Sequence, residues 1–188
     1  MQILEKTKED IIDRSETMSD FLKMEYLEKC AEKFRDDEIL RYCYSQLIIL
    51  YEGRMMFSDA LKYLYKLQAM VFNNAEKLQL IDRELELLIK GGFYDKAEPA
   101  LKNAMKISSN DIEVMNLRRN IVTLYKQEIS KFERSGKYQS LLRIYEKLIP
   151  LLADHEKNEA KKRLVEIYNK LGKVRESIEL EKSIGSTR

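Results

Sequence analysis

The chain has 188 residues, of which 44% are hydrophobic and 35% charged, and its formal net charge is +2. This length fits a single domain, and so small a net charge argues against strong nucleic-acid binding. Two prolines and six glycines are typical of an all-helical protein and fit sheets poorly. No apolar run approaches the length of a membrane span, and the first residues start no signal peptide, so we expect a cytoplasmic protein.

The first 38 residues predict a degenerate helical hairpin. Ile11 and Ile12 are the strong apolar anchors of its first helix, which is otherwise charged. A charged outer face is expected of a terminal repeat that has water on one side. Ser19 and Asp20 supply an N-cap for a second helix that starts at Phe21. We therefore expect residues 1–38 to form an N-terminal cap repeat.

Four further segments share one pattern, in which a hydrophobic stripe at helical spacing is followed by a turn, a small residue and a second stripe. The equivalent positions are Ala60, Ala97, Leu141 and Ser177, which are separated by 37, 44 and 36 residues. Spacings of this size indicate a stacked array of helical hairpins. We expect the small residues to lie where paired helices cross closely, and the bulkier Leu141 to loosen the third pair.

Turn residues separate the two stripes of each segment. Gly92, Gly136 and Gly172 follow the first stripe of the last three segments, at a position where helices commonly end in left-handed backbone. Met55 replaces glycine at this position in the first of the four segments. The long second spacing, of 44 residues, predicts an extended helix between Asn110 and Arg134.

Two prolines interrupt the apolar stripes. A proline inside a helix lacks the N–H and crowds the carbonyl four residues before it. We therefore expect the helix around Pro99 to begin with Asp95 as its N-cap, a residue or two later than the repeat register gives. Lys96 is then the first helical residue and Pro99 the fourth, where a missing N–H costs no helical hydrogen bond. For the same reason we expect an early end at Ile149, or a kink, next to Pro150.

The pattern over residues 41–183 resembles the tetratricopeptide repeat, a helix–turn–helix unit of about 34 residues. This resemblance implies an all-α fold, a right-handed solenoid of four to five antiparallel helix pairs, as one domain over 1–188 with a flexible tail at 184–188. The family's closing proline is absent and the spacings are longer, so an unrelated α-hairpin solenoid remains the alternative. The matching residues are Tyr44 and Tyr125 at the family's tryptophan, Tyr51, Leu88, Phe132 and Tyr168 at its tyrosine, Gly92, Gly136 and Gly172 at its turn, and Ala60 and Ala97 at its packing alanine.

The resemblance also implies a function. In this family the first helix of each repeat lines a concave groove, which holds a peptide or helix of another protein. We therefore expect a non-enzymatic scaffold or adaptor with a protein partner. Groove-surface side chains have little packing to lose, so Arg83→Ala is expected to leave stability nearly unchanged. The expected contacts, carried over by register, are Gln46, Arg83, Glu86, Lys126, Gln127, Lys162 and Arg163.

Residue patterns for catalysis or metal binding do not occur in the sequence. His155 is the single histidine, and neither a phosphate-binding glycine loop nor a nucleophile elbow is present. We therefore expect no enzyme activity, no metal and no cofactor. Cys30 and Cys43 fit buried thiols of a reducing compartment, with a disulfide between them as the alternative.

Charge is distributed unevenly along the chain. Residues 1–60 hold 9 basic and 14 acidic residues, whereas residues 121–188 hold 15 basic and 10 acidic residues. Random variation over solvated faces would explain this asymmetry. Two functional explanations are head-to-tail association of a homo-oligomer and binding of an elongated partner whose charges are distributed in a complementary way. The alternative function is therefore a structural protein that docks end to end.

Eleven tyrosines, some of them beside basic residues, raise the question of base stacking on nucleic acid. The repeat register instead places Tyr51, Tyr125, Tyr145 and Tyr168 inside the hairpins. We expect these side chains to be core residues, and we expect neither a nucleic acid nor a membrane as a partner.

Overall fold

The computed structural model describes residues 3–185, and within them ten α-helices follow one another without a strand. The all-α class and the pairing of helices into hairpins are thereby confirmed. Of the predicted tail, Ile184 and Gly185 belong to the last helix, and residues 186–188 lie outside the described residues. The helices are α1 (Lys8–Glu16), α2 (Asp20–Lys33), α3 (Asp37–Gly53), α4 (Phe57–Gln68), α5 (Asn74–Lys90), α6 (Tyr94–Ile107), α7 (Asp111–Arg134), α8 (Tyr138–Leu148), α9 (Asp154–Lys170) and α10 (Val174–Gly185).

The chain divides between Gly91 and Gly92 into two compact units, residues 1–91 and 92–188. The first unit contains α1 to α5, and the second contains α6 to α10. This boundary falls inside the second of the four predicted repeats, between its two helices. The organisation of 1–188 as a single domain stays a prediction.

In the first unit, α3 packs against α2 on one side and α4 on the other, and α4 packs against α5. Leu27, Leu47, Leu64 and Leu85, one from each of α2 to α5, are completely buried. Burying a leucine side chain contributes roughly 1.5–3 kcal/mol, so apolar stripes facing one another supply most of what holds these helices together.

The predicted cap hairpin consists of α1 and α2. Ile11 is completely buried as expected, whereas Ile12 is only partly buried. The start of α2 was predicted one residue late: the helix begins at Asp20 and not at Phe21. Ser19 is its N-cap residue but makes no side-chain hydrogen bond there. Both α1 and α2 contact α3, so the cap repeat shares the core of the first unit.

Polar side chains begin several of the helices. At α1, Thr7 Oγ1 accepts a hydrogen bond from the backbone N–H of Asp10 (3.2 Å), and the Asp10 carboxylate accepts one from the N–H of Thr7 (3.3 Å). Asp36, Asn73 and Asn110 cap α3, α5 and α7 in the same sense. Each cap satisfies backbone donors that have no partner inside the helix.

Left-handed backbone occurs at each of the four predicted turns. The φ angles are 74° at Gly92, 63° at Gly136 and 72° at Gly172. Met55 adopts φ 60° at the equivalent position, with its side chain 78% exposed. The predicted repeat register is confirmed at these positions, including the replacement of glycine by methionine.

Two further expectations about helix ends are confirmed. The extended helix α7 runs for 24 residues, from Asp111 to Arg134. The helix α8 ends at Leu148, and Pro150 lies in a 3-10 turn over Ile149–Leu151. Proline cannot donate the hydrogen bond that would continue an α-helix.

The predicted start of α6 is wrong. The helix begins at Tyr94 with Phe93 as its N-cap, so Pro99 is the sixth helical residue and not the fourth. Because proline has no N–H, the carbonyl of Asp95 loses its helical donor. The carboxylate of Asp95 does not cap the helix; it forms an ion pair with Lys147 (2.7 Å).

A pair of glycine substitutions tests the role of the left-handed turns. A Cβ at Gly136 or at Gly53 would meet no atom within 4 Å, so the two sites differ mainly in backbone conformation. We expect Gly136→Ala to lower the free energy of unfolding by about 1 kcal/mol. We expect Gly53→Ala, at the end of α3, to raise it by about 0.5 kcal/mol. Urea denaturation measures the free energy of unfolding of both variants. Equal changes would contradict a special role for left-handed backbone at Gly136.

Candidate functional site

The predicted contact residues lie on the first helices of four successive repeats. Gln46 and Arg83 are partly buried, whereas Lys126, Gln127 and Lys162 are exposed. Their role as contacts with a partner stays a prediction. By helix, the seven residues are Gln46 on α3, Arg83 and Glu86 on α5, Lys126 and Gln127 on α7, and Lys162 and Arg163 on α9.

Arg83 and Glu86 belong to a closed ring of four charges in the first unit, which we call the ionic ring. The Arg83 guanidinium contacts the carboxylates of both Glu52 and Glu86. Lys90 Nζ contacts the same two carboxylates, at 2.9 Å and 2.5 Å. Opposite charges therefore alternate around the ring, which links α3 to α5. The side chains are 19% exposed at Glu52 and 32% exposed at Arg83.

The ionic ring keeps its members charged. Partial burial acts to raise the pKa of Glu86, but hydrogen bonds from Lys90 and Arg83 outweigh it and hold this pKa below its ordinary value of 4.5. Desolvation opposes the charge of Arg83 and Lys90, yet the two glutamates raise the pKa of both cations. A partner that binds Arg83 or Glu86 must therefore compete with contacts inside the chain.

Arg83→Ala tests the ionic ring. The substitution leaves Glu52 and Glu86 with Lys90 as their shared cation, so the sequence-based expectation of no effect no longer holds. We expect a loss of about 1 kcal/mol in the free energy of unfolding. Arg163→Ala is the matched control, because Arg163 pairs with Glu166 on an exposed surface, and its urea midpoint should not change. Equal midpoints for both variants would contradict a stabilising ring.

Acid titration gives a second test of the ring. The pKa of Glu86 is lower in the folded chain than in the unfolded chain. The ionised carboxylate therefore stabilises the fold fully at pH values above the unfolded pKa. The contribution is lost as the pH falls through the folded pKa. Between neutral pH and about pH 3, the melting temperature of the wild-type chain should fall more steeply than that of Glu86→Gln. Parallel curves at constant ionic strength would show that Glu86 is not coupled to the ring.

Glu28 of α2 joins two tyrosines of the neighbouring hairpin. Its Oε1 accepts hydrogen bonds from the hydroxyls of Tyr51 (2.6 Å) and Tyr63 (2.7 Å). The two rings are stacked, with centroids 5.7 Å apart, and Lys66 Nζ lies 5.1 Å from the centre of the Tyr63 ring. Desolvation, and then the Glu28 carboxylate, raise the pKa of both phenols. These tyrosines are core residues and do not offer a surface for stacking bases.

In the second unit, Lys126 of α7 and Arg163 of α9 line one cleft of about 400 Å³, which we call the α7–α9 groove. Lys126 Nζ donates a hydrogen bond to Glu156 Oε1 (2.7 Å), so the wall of the groove carries an ion pair. Gln127 and Lys162 do not line it. Two of the predicted contacts are thus brought together. The floor of the groove consists of apolar and aromatic side chains, among them Ile129, Tyr145, Leu148 and Leu152.

A second and larger cleft, of about 440 Å³, lies between α6, α7 and the end of α8, and we call it the α6–α8 cleft. The sequence did not predict it, since Ala97 and Tyr125 were assigned to helix packing alone. Two sequence features contribute to it. Ala97 adds little volume to the floor, and Pro150 ends α8 so that a 3-10 turn forms one wall.

Two tyrosines meet at one end of the α6–α8 cleft. The ring centroids of Tyr94 and Tyr125 are 5.9 Å apart, with the planes tilted by 52°. The Arg143 guanidinium lies 5.6 Å from the centre of the Tyr94 ring. Burial raises the pKa of each phenol to about 12. Both phenols are therefore neutral at physiological pH and form an aromatic wall.

Charged side chains surround the opening of this cleft. Lys102 Nζ is paired with Glu98 Oε1 (2.8 Å) on α6. Lys147 of α8 also lies on the rim, and its partner is Asp95 of α6. Arg118 of α7 lines the cleft and is exposed. It makes no ion pair within residues 3–185.

The described residues contain no group of three or more His, Cys, Asp or Glu side chains that could hold a metal ion. His155 is exposed in the first turn of α9. Cys30 and Cys43 are buried and free, without a disulfide. Across residues 3–185, every helix is too short or too polar to cross a membrane.

No known protein family matches the chain, and no curated protein matches it either. Among solved structures, it is similar to the MamA RS-1 ArsTM double mutant, with 12% identity and a TM-score of 0.47 over 98% of this chain and 96% of that one. It is also similar to BtubC (BKLC) from P. vanneervenii, with 15% identity and a TM-score of 0.41 over 98% and 94%. Similarity at this level does not indicate what this chain binds.

Proposed function

We propose that the chain is a non-enzymatic scaffold, and that the first helices of its repeats form a groove that binds a peptide or helix of another protein. The observation that carries this proposal is the α7–α9 groove. Lys126 and Arg163 belong to the first helices of consecutive repeats and line the same cleft. Five charged side chains, Lys126, Glu133, Glu156, Glu159 and Arg163, surround its apolar floor, and an apolar centre with a polar rim is the usual composition of a protein-binding surface.

The floor and the walls of the groove have different roles in this proposal. Ile129, Tyr145 and Leu148 offer an apolar surface on which a partner's side chains would be buried. Lys126 and Glu156 form an ion pair at the wall of the groove. A charged group of the partner that binds either side chain would replace this ion pair with a new one. Apolar anchors therefore supply affinity, and the charged rim selects the orientation of the partner.

In the first unit, Gln46, Arg83 and Glu86 remain proposed contacts. Arg83 and Glu86 are held in the ionic ring, so they would present a fixed pattern of charge and not a free side chain. Two buried thiols, Cys30 and Cys43, are consistent with a reducing compartment, and we propose the cytoplasm as the location of the chain.

An assembly protein that docks end to end is the second candidate function, and the distribution of charge favours it. Residues 1–91 hold 14 basic and 18 acidic residues, whereas residues 92–188 hold 20 basic and 14 acidic residues. Sedimentation velocity over a range of concentrations separates the two functions, because only the second predicts growth with concentration and weakening by salt.

The scaffold proposal is tested with short peptides selected from a phage-displayed library against the full chain. We expect enriched peptides to bind the wild-type chain saturably. The double variant Lys126→Glu/Arg163→Glu should weaken this binding about tenfold, because it reverses both cations of the groove wall. Lys137→Glu, in the exposed turn before α8, is the matched control and should bind like the wild type. Failure to enrich any peptide, or equal weakening by the control, would refute peptide binding in this groove.

A further inference from the structure

The α6–α8 cleft is long enough to hold three turns of a helix. Its α6 wall is one helical face that extends from Tyr94 to Met105. At 1.5 Å per residue, that wall is about 16 Å long. Ile121 lies on the opposite wall, and Pro150 and Leu151 close the side formed by the 3-10 turn. The cleft is therefore an elongated trough and not a round pocket.

The floor of the trough is formed before anything binds. Ala97, Leu101, Ile121 and Tyr125 are all buried, so packing within the second unit holds them in place. The cleft volume of about 440 Å³ lies within the range that binding sites commonly have. A preformed apolar floor loses little conformational entropy when a partner docks.

The surrounding backbone favours a helical occupant. The long walls, α6 and α7, are α-helices, whose backbone N–H and C=O groups are paired internally except near the ends and at the Asp95 carbonyl. An extended peptide would find few backbone partners there, and its own buried backbone groups would be left unsatisfied. A helix satisfies its own backbone and can lay an apolar face into such a trough.

Charge differs between the two ends of the trough. α6 and α7 run in opposite directions, and Tyr94 meets Tyr125 at one end, so Met105 and Arg118 lie towards the other. Glu146 and the Lys147–Asp95 ion pair lie at the Tyr94 end. The Arg143 guanidinium lies beside the Tyr94 ring at the same end, so the positive and negative charges there balance.

The Met105 end carries an excess of positive charge. Lys102 is paired there with Glu98, and Arg118 adds a cation that has no ion pair among the described residues. Residues 92–188 as a whole hold six more basic than acidic residues. An occupant with acidic residues at the Arg118 end would complement this pattern.

We propose that the α6–α8 cleft docks an amphipathic helix of a partner protein, with its apolar face on the floor and its acidic end at Arg118. This inference rests on the proposed function as a protein-binding scaffold and adds a site on another side of the α7–α8 hairpin from the groove. The helix dipole favours the C-terminal end of the docked helix at Arg118, so the partner helix runs parallel to α6.

Two fluorescein-labelled synthetic helices test the proposal on the full chain by fluorescence anisotropy. They share one leucine and phenylalanine stripe; one carries glutamates at its C-terminal end, and the other carries lysines at the same positions. The wild-type chain should prefer the first helix. Arg118→Glu should weaken it about tenfold and shift the preference towards the second. Arg119→Glu, the exposed neighbour that does not line the cleft, should change neither affinity.

Further variants identify which of the two clefts binds the synthetic helix. Ala97→Leu extends a side chain into the floor and should weaken both helices, provided that circular dichroism shows an intact fold. Weakening by Lys126→Glu/Arg163→Glu alone would place the helix in the α7–α9 groove; it would overturn this inference and leave the scaffold function standing. Absence of saturable binding, equal effects of Arg118→Glu and Arg119→Glu, or self-association that is abolished by Arg118→Glu would each overturn it as well.

Discussion

Everything in this structure depends on the burial of apolar stripes between antiparallel helices. A single helix of this chain carries an apolar stripe that water would otherwise cover, and only a neighbouring helix can remove it from solvent. The left-handed residues Gly136 and Gly172 make the reversal possible, because each ends one helix and turns the chain back within a few residues. Polar residues are then left on the outer faces, where they are available for other contacts.

Two groups of polar side chains inside the first unit join different helices. Glu28 binds tyrosines of both α3 and α4, and the ionic ring joins α3 to α5. Partly buried charges are tolerated there because each carboxylate faces two donors. In the second unit, charged side chains line both the α7–α9 groove and the α6–α8 cleft. Arg118, at the rim of the α6–α8 cleft, is a cation that makes no ion pair with any residue that the structure describes.

Most of the fold could be predicted from the sequence because hairpin register depends on local rules. Stripe spacing, the turn glycines and Pro150 located the helices, and even the methionine that replaces a glycine at Met55 was placed correctly. The start of α6 was missed because the ion pair between Asp95 and Lys147 joins residues that are distant in sequence. The ionic ring was missed for the same reason, since a list of groove positions does not show which side chains meet each other.

The candidate site was predictable only in part. Lys126 and Arg163 share a groove as the repeat register suggested, but the α6–α8 cleft depends on three helices and on the small volume of Ala97. Such a space has no signature in any one segment. Whether a position faces a neighbour, a cleft or water is decided by packing between elements, and periodicity within one element cannot specify it.

The burial of tyrosine in these hairpins has a consequence at alkaline pH. Nine of the eleven tyrosines have a folded pKa raised above the ordinary value of 10.0, chiefly by desolvation. An unfolded chain releases these phenolic protons as the pH rises through 10, whereas the folded chain retains them. The unfolded state is favoured increasingly there, by linkage. Because many core side chains are phenols, the free energy of unfolding should decrease as the pH rises above about 10.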